Sequence, residues 1–319
     1  MTKVKNYLSL IKFSHTIFAL PFALIGFFLA IVKNGVEVFV KNGGFVKMHF
    51  YVKLNDTFGE DALFRKTFWQ IVGNKFILVL LCMIFARSAA MAFNRYLDRN
   101  FDAKNPRTAI REIPAGIISA NSALLFTILT SVLFIITTYF INSLCFYLSP
   151  VALLVVLGYS FTKRFTPLCH LVLGLGLALA PIGAYLAVTG KFELLPILFS
   201  FTVLFWVSGF DIIYALQDEE FDKKYELKSI PAWLGKAKAL HVSEVLHVFA
   251  ALCVIAAGVY GGFGWLYWIG VTVFAGMLIY QHSIVKPDDL RKVNIAFMTA
   301  NGIASVVFAV FVIADILTL

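Results

Sequence analysis

The chain has 319 residues, of which 60% are hydrophobic and only 14% charged, and its formal net charge is +9. This composition excludes an ordinary soluble globular protein and predicts an integral membrane protein. The basic residues are spread over loops between apolar segments and are not gathered with aromatic residues on one polar face. We therefore expect membrane lipid, and no nucleic acid, among the partners of the chain.

Nine apolar segments of about 20 residues, each long enough to cross a bilayer, are predicted to be transmembrane helices. They lie near 13–32, 74–97, 118–140, 144–162, 168–189, 193–216, 239–261, 264–284 and 293–317. The sequence thus predicts an all-α polytopic membrane protein, a bundle of about nine helices with a central cavity. We expect one domain over residues 1–319.

The segment at about 33–73 interrupts this pattern after the first helix, because it mixes glycines and charges with aromatic residues. That aromatic content argues against a disordered linker and predicts a structured or membrane-surface excursion. The first apolar run lacks the small-residue cleavage pattern of a secretory signal, so we interpret it as a membrane helix. The four cysteines occur singly, and neither a disulfide nor a zinc site is expected.

The distribution of Lys and Arg predicts the orientation of the helices. Placing the amino terminus in the cytoplasm puts most basic loop residues on the cytoplasmic side, as the positive-inside rule requires. The long 33–73 segment carries basic residues on the opposite side, where long loops follow the rule poorly. We expect a multi-pass protein of a bacterial-type inner membrane, with the ends of the second and sixth predicted helices facing the cytoplasm.

A first polar cluster, Asn94, Asp98 and Asp102, ends the second predicted helix. Residues four apart share one helix face, so these side chains point the same way. Ionisable residues at membrane depth are usually functional. Hard oxygen ligands suit Mg²⁺, which binds diphosphates through one or two protein carboxylates and the substrate oxygens.

A second cluster ends the sixth predicted helix and comprises Asp211, Tyr214, Asp218 and Asp222. On a helix these four side chains fall within a narrow arc, as those of the first cluster do. If the two clusters face each other at one cytoplasmic mouth, they would hold two Mg²⁺ ions, which neutralise an anionic leaving group. The alternative is that acidic residues simply cap the water-facing ends of helices. That explanation suits a lone aspartate better than two matched clusters.

Basic residues near the clusters are candidates for binding a diphosphate. Arg107 and Arg111 follow the first cluster, and arginine binds phosphate oxygens bidentately. An ordinary cytoplasmic basic loop explains them equally well, and orientation alone is an equal explanation for Lys163 and Arg164. Arg87 lies two turns before the first cluster on the same helix face and is expected to line the cavity.

Other polar and aromatic residues in the predicted helices carry less information. His15 and His170 are favoured as interfacial polar residues over metal ligands. The 33 phenylalanines are mainly lipid-facing or core residues, although aromatic ring faces in a cavity also shield an allylic cation.

These motifs resemble those of the UbiA superfamily of intramembrane prenyltransferases. Asn94, Asp98 and Asp102 match its first motif, and Tyr214, Ala215, Asp218 and Asp222 match its second. The Asn-Pro-Arg-Thr loop at 105–108 and the Tyr-x-x-x-Lys-Arg segment at 159–164 are similar too. The resemblance covers most of the chain in the same order.

The resemblance implies a nine-helix bundle with a lateral opening for a polyprenyl tail, and transfer of that polyprenyl group from its diphosphate to an aromatic acid. By the same resemblance Mg²⁺-diphosphate is held by Asn94, Asp98, Asp102, Asp218 and Asp222, the four aspartates being the catalytic residues. The resemblance also implies that Arg107, Arg111, Lys163 and Arg164 contact the diphosphate or the acceptor. Arg87 and Tyr214, placed by helix spacing, complete the predicted substrate-binding residues.

The segments at 11–23, 111–116 and 229–231 resemble the 4-hydroxybenzoate polyprenyltransferase-like branch, which includes the MqnP-type enzymes of menaquinone synthesis. Glu112 stands where many ubiquinone-pathway members have proline, so the acceptor is left open between 4-hydroxybenzoate and a related hydroxynaphthoate. The 33–73 excursion is also longer than the family's usual connection.

Two other classes of protein use carboxylates in membrane helices. Ion-coupled transporters place their sites near the bilayer midplane, whereas these clusters fall at helix ends on one side. Phosphatidyltransferases of the CDP-alcohol class have Asp-Gly and Ala-Arg elements, which do not stand beside Asp98. The transporter is the main alternative.

Overall fold

The computed structural model describes residues 3–11, 18–34, 36–40, 44–48 and 61–318, with side chains for 5–11, 18–34 and 69–318. This part of the chain is mainly helical. Its helices are α1 (Lys3–Leu10), α2 (Leu20–Asn34), α3 (Asp61–Asp102), α4 (Ala120–Ile141), α5 (Ser143–Thr162), α6 (Cys169–Thr189), α7 (Leu194–Ala215), α8 (Glu219–Lys224), α9 (Ile230–Leu234), α10 (Lys236–Gly261), α11 (Trp265–Ile284) and α12 (Asn301–Thr318). A π-helical turn, Ile295–Ala300, leads into α12.

The predicted all-α membrane fold is confirmed, and each of the nine predicted segments coincides with a helix. Seven helical segments within the described residues are long and apolar enough to span a membrane. Helix α2 has 15 residues and is therefore counted with the shorter apolar helices. The first predicted segment begins at 13, and positions 13–17, with His15, lie outside the described residues. Helix α11 is not one of the seven, so the number nine remains a prediction.

The segment after α2 contains a short antiparallel β-hairpin. Strands β1 (Val36–Val40) and β2 (Gly44–Met48) pair with Val36 opposite Met48 and Val40 opposite Gly44. Helix α3 then starts at Asp61, well before the predicted 74, and has 42 residues. At 1.5 Å per residue it is about 63 Å long, roughly twice the thickness of a bilayer core.

The two polar clusters end their helices differently. The first lies entirely on α3, as predicted, and Asp102 is the last residue of that helix. The second was expected on one continuous helix, and that expectation is wrong. Helix α7 ends at Ala215, a 3₁₀ turn covers Leu216–Asp218, and α8 follows. Because a 3₁₀ turn has three residues per turn rather than 3.6, it rotates Asp218 relative to an ideal α-helix.

Helix α7 lies at the centre of the bundle, with Phe199, Val203 and Trp206 fully buried. Glycines let neighbouring helices approach closely, as is common in membrane bundles. A Cβ atom on Gly174 of α6 would lie 2.5 Å from the backbone oxygen of Leu204 in α7. Gly209 of α7 packs in the same way against His247 of α10. These contacts fix α7 between α6 and α10.

The last two helices are joined by a buried aspartate. Asp315 of α12 is only 2% exposed. Its carboxylate accepts hydrogen bonds from the backbone nitrogens of Gly264 (2.7 Å) and Tyr267 (3.3 Å). Because these are unpaired donors of the first turn of α11, Asp315 caps that helix from a distance.

Candidate active site

A cavity of about 960 Å³ opens among helices α3, α5, α6 and α7 and the loops that follow α3 and α5. Its lining includes ten of the predicted site residues, namely Arg87, Asn94, Asp98, Asp102, Arg107, Arg111, Lys163, Tyr214, Asp218 and Asp222. Arg164 is not one of the lining residues but contacts Asp98. The structure therefore brings both polar clusters and the basic residues to one place.

The carboxylate of Asp98 is held on both oxygens. Asn94 donates its side-chain amide to Oδ2 at 3.1 Å. Arg164 donates to Oδ1 at 3.0 Å and also to the backbone oxygen of Leu97 at 3.0 Å. The loop after α5 is thereby anchored to the end of α3.

Asp102 is buried at the end of α3, where Arg111 donates to its Oδ1 at 2.7 Å. The hydroxyl of Thr108 donates to the backbone oxygen of Asp102 at 3.1 Å and holds the following loop in place. The second carboxylate oxygen, Oδ2, is buried and has no hydrogen-bond partner among the described residues. That oxygen is available to a ligand in the cavity.

Arg107 and Asp218 form a bidentate ion pair, with Nε donating to Oδ1 at 3.1 Å and Nη2 donating to Oδ2. Arg107 also donates to the hydroxyl of Tyr214 at 2.9 Å. Asn105 adds a hydrogen bond to Oδ1 of Asp218 at 3.1 Å. Burial alone would lower the pKa of Arg107, but the adjacent Asp218 carboxylate raises it above the usual value.

Asp222 is completely buried and has two partners. Lys163 places its Nζ 2.8 Å from Oδ1, and the hydroxyl of Ser229 donates to Oδ2 at 2.8 Å. The backbone nitrogen of Lys228 donates to the backbone oxygen of Lys163 at 2.6 Å, which joins the two loops. Burial would lower the pKa of Lys163, whereas Asp222 raises it, and the net shift is upward.

Each motif aspartate thus has one cation of its own. The pairs are Asp98–Arg164, Asp102–Arg111, Asp218–Arg107 and Asp222–Lys163. Geometry places these residues together, and their roles in binding a substrate remain predictions.

The donor set fits a metal ion held jointly with a diphosphate. No three His, Cys, Asp or Glu side chains in the described part of the chain are grouped closely enough to hold a metal by themselves. Mg²⁺ rarely needs such a cage, because it usually combines one or two carboxylates with phosphate oxygens and water. Asp102 supplies a buried carboxylate oxygen without a hydrogen-bond partner among the described residues, which is the kind of hard ligand that Mg²⁺ prefers.

His170 is placed differently from the expectation of an interfacial residue. It is 3% exposed, and its Nδ1 lies 2.7 Å from Oδ2 of Asp211. The backbone nitrogen of Ile230 donates to Nε2 at 3.4 Å. Asp211, expected to share the arc of the second cluster, is therefore held by a histidine. Nothing in the sequence spacing links these two residues, which are 41 positions apart.

Asn105 and Ser229 are further contributors that residue patterns did not single out. Asn105 lies inside the Asn-Pro-Arg-Thr loop, so its position in that motif was an available signal. Ser229 is the N-cap of α9 and accepts a hydrogen bond from the backbone nitrogen of Ala232. A serine before Ile230-Pro231 is typical of a helix start, and its second contact with Asp222 follows from tertiary packing.

Aromatic rings line the cavity beside the charged mouth. The ring of Phe297 lies 4.2 Å from that of Tyr214, 5.4 Å from that of Phe210 and 5.3 Å from that of Phe18, measured between centroids. All four line the cavity. The site therefore joins a charged mouth to an apolar, aromatic interior.

A helical membrane bundle with paired carboxylate clusters at the mouth of an apolar cavity is typical of enzymes that act on lipid-linked anions. Residues 63–303 match the UbiA prenyltransferase family. The chain belongs to this family and is a membrane prenyltransferase. This membership does not favour the transporter alternative.

Named relatives and solved structures agree with this assignment. The chain is 31% identical to a 4-hydroxybenzoate octaprenyltransferase from Tolumonas auensis over 75% of its own length and 83% of the relative's. It is 33% identical to one from Aeromonas salmonicida, covering 73% and 80% of the two chains. A UbiA homologue from Aeropyrum pernix K1 superposes with a TM-score of 0.71 at 26% identity, covering 95% of this chain and 97% of that one. A UbiA homologue from Archaeoglobus fulgidus, solved with GPP and Mg²⁺, shares the fold with a TM-score of 0.65 at 20% identity, covering 98% and 99%.

Proposed function

We propose that this enzyme transfers a polyprenyl group from polyprenyl diphosphate to an aromatic acid, with Mg²⁺ as cofactor, in ubiquinone or menaquinone biosynthesis. The acceptor is 4-hydroxybenzoate or a related hydroxynaphthoate. The observation that carries the proposal is the arrangement of four carboxylates, each with its own cation, at the mouth of one apolar cavity. The names of the relatives support the acceptor class.

The chain's own residues suit the departure of a diphosphate. Arginine forks at Arg107 and Arg111 and the ammonium of Lys163 donate hydrogen bonds to phosphate oxygens, which gain negative charge as the carbon–oxygen bond breaks. Bound Mg²⁺ supplies further charge neutralisation at those oxygens. Asn94, Asp98, Asp102, Asp218 and Asp222 would hold it.

The interior accommodates the rest of the reaction. The ring faces of Tyr214, Phe210 and Phe297 stabilise an allylic cation, because an aromatic face is electron-rich. The electron-rich ring of the acceptor then attacks the allylic carbon, a carbon–carbon bond forms, and the ring loses a proton. The apolar walls exclude water, which would otherwise capture the cation. We further propose that the protein lies in the inner membrane with this mouth facing the cytoplasm.

The deciding experiment replaces one carboxylate in each cluster with its amide. Purified Asp98→Asn and Asp218→Asn in detergent, with labelled prenyl diphosphate, 4-hydroxybenzoate and Mg²⁺, are expected to lose product formation by at least about a hundredfold, since removing preorganised electrostatic groups typically costs this much. Asp289→Asn is the matched control, because Asp289 pairs with Arg291 on an exposed loop. Wild-type transfer by both cavity variants would refute the proposal.

A further inference from the structure

Two buried charged residues on the cavity wall are not used by the four carboxylate–cation pairs. Arg95 is 5% exposed and Glu112 is 8% exposed, and both line the cavity. Nε of Arg95 and Oε2 of Glu112 are buried and have no hydrogen-bond partner among the described residues. Because buried polar groups without hydrogen bonds are costly, these two atoms are candidates for contacts with a bound molecule.

Arg95 lies deeper in the bundle than the diphosphate-binding mouth. It precedes Asp102, the last residue of α3, by seven positions. Seven residues are close to two helical turns, so the two side chains leave nearly the same face about 10 Å apart along the axis. Arg111, Asp102 and Glu112 are all close enough for their charges to act on Arg95. A molecule at Arg95 would therefore lie beside the diphosphate, further from the cytoplasmic end.

The hydrogen bonds that hold Glu112 in place do not use its second carboxylate oxygen, Oε2. Its Oε1 accepts a hydrogen bond from the hydroxyl of Ser9 at 2.5 Å. Its backbone oxygen accepts hydrogen bonds from the nitrogens of Ile117 at 2.9 Å and Ile118 at 3.0 Å. The carboxylate is therefore preorganised, and Oε2 can accept one further hydrogen bond with little rearrangement.

The charges of Arg95 and Glu112 determine which functional group of a ligand can bind between the two side chains. A guanidinium only donates hydrogen bonds, and a carboxylate only accepts them. A hydroxyl group accepts from the first and donates to the second, so it satisfies both. A carboxylate or phosphate of a ligand accepts only, and Glu112 repels it.

We propose that Arg95 and Glu112 form a subsite for the phenolic hydroxyl of the aromatic acceptor. This inference rests on the proposed function, since that function supplies the hydroxylated ring. The hydroxyl accepts a hydrogen bond from Arg95 and donates one to Glu112, which fixes the ring beside the diphosphate. The carboxylate of the acceptor lies elsewhere in the cavity.

Steady-state kinetics with geranyl diphosphate and 4-hydroxybenzoate, repeated with a hydroxynaphthoate, test the subsite. In Glu112→Gln and in Arg95→Lys, the KM for the acceptor is expected to rise about tenfold, as for the loss of one hydrogen bond to a charged group. The KM for geranyl diphosphate is expected to stay the same. Competitive inhibition adds a second measure: wild type binds 4-hydroxybenzoate better than 4-methoxybenzoate, and this preference shrinks in both variants, because the ether cannot donate to Glu112.

Asp315→Asn is the control for a purely structural effect, because Asp315 is buried but does not line the cavity. It weakens the cap of α11 and keeps both proposed groups, so it lowers thermal stability without changing the ratio of the two KM values. The subsite is refuted if both variants keep the wild-type acceptor KM, or if the two KM values rise together in step with lost stability. If the wild-type protein prenylates no hydroxylated aromatic acid, the proposed function itself fails, and the subsite fails with it.

Discussion

At the scale of single residues, the contacts of Arg107 use the shape of its side chain as well as its charge. Arg107 makes two hydrogen bonds to one carboxylate and a third to Tyr214. Lysine keeps the charge but has no planar fork. Replacing Arg107 by lysine therefore tests the planar hydrogen-bonding group separately from the positive charge.

We predict that Arg107→Lys lowers kcat/KM for prenyl diphosphate by roughly tenfold or more, the usual effect of losing one charge-assisted hydrogen bond. Turnover of labelled prenyl diphosphate in detergent measures it. Arg291→Lys is the matched control, because Arg291 makes a similar fork to Asp289 on an exposed loop. Equal kinetics for Arg107→Lys and wild type would show that the fork is not used.

His170 is predicted to be important for stability. His170→Ala removes the partner of Asp211 and the acceptor for Ile230. Breaking a buried pair by removing one member costs about 3 kcal/mol. Thermal unfolding in detergent should show a clear decrease in Tm, whereas His241→Ala, at an exposed histidine, should show none. An unchanged Tm for His170→Ala would contradict this role.

The ion pairs also mark the limit of prediction from sequence at this scale. Helical spacing was sufficient to group Asn94, Asp98 and Asp102, because all three lie on one regular helix. Arg107 and Asp218 are 111 positions apart, and Arg164 and Asp98 are 66 apart. Which cation meets which carboxylate follows from loop packing, and no periodic pattern encodes loop packing.

At the scale of elements, close helix crossings determine the shape of the bundle. Gly174 brings α6 against the backbone of α7 at Leu204, while a Cβ atom added at Gly183 of the same helix would meet no neighbouring element within 4 Å. The same substitution is therefore expected to have opposite effects at the two positions.

Gly174→Ala is predicted to destabilise the protein by about 1–3 kcal/mol through overpacking. Gly183→Ala should be neutral or slightly stabilising, because alanine is favoured over glycine in helices by about 1 kcal/mol. Chemical or thermal unfolding of the two variants in one detergent makes the comparison. Similar stability of both variants would show that the α6–α7 crossing adjusts freely.

Apolar length and composition predicted most of the helices, since a bilayer demands about 20 apolar residues per span. The predicted end of the sixth helix at 216 agrees with the end of α7 at Ala215, but apolar length gives no signal for the 3₁₀ turn that follows over Leu216–Asp218. In that turn Asp218 contacts Asn105 and Arg107 of another loop. The β-hairpin after α2 was not predicted either.

At the scale of the whole molecule, the distribution of basic loop residues predicts the orientation in the membrane. Single cysteines introduced at Lys224 and Asp289 should react with a membrane-impermeant maleimide only from the cytoplasmic side, and one at Lys191 only from the other side. The background requires replacement of the four free cysteines, Cys82, Cys145, Cys169 and Cys253. Labelling at positions 224 and 191 from the same side would refute the topology.

The one-to-one pairing of aspartates and cations has a consequence for the insertion of the newly made protein into the membrane. Four uncompensated carboxylates near a bilayer would oppose insertion, because charged groups are costly there. Once each carboxylate has a cation supplied by the same chain, the mouth is nearly neutral. The chain can therefore complete its bundle without a bound ligand to neutralise these four carboxylates.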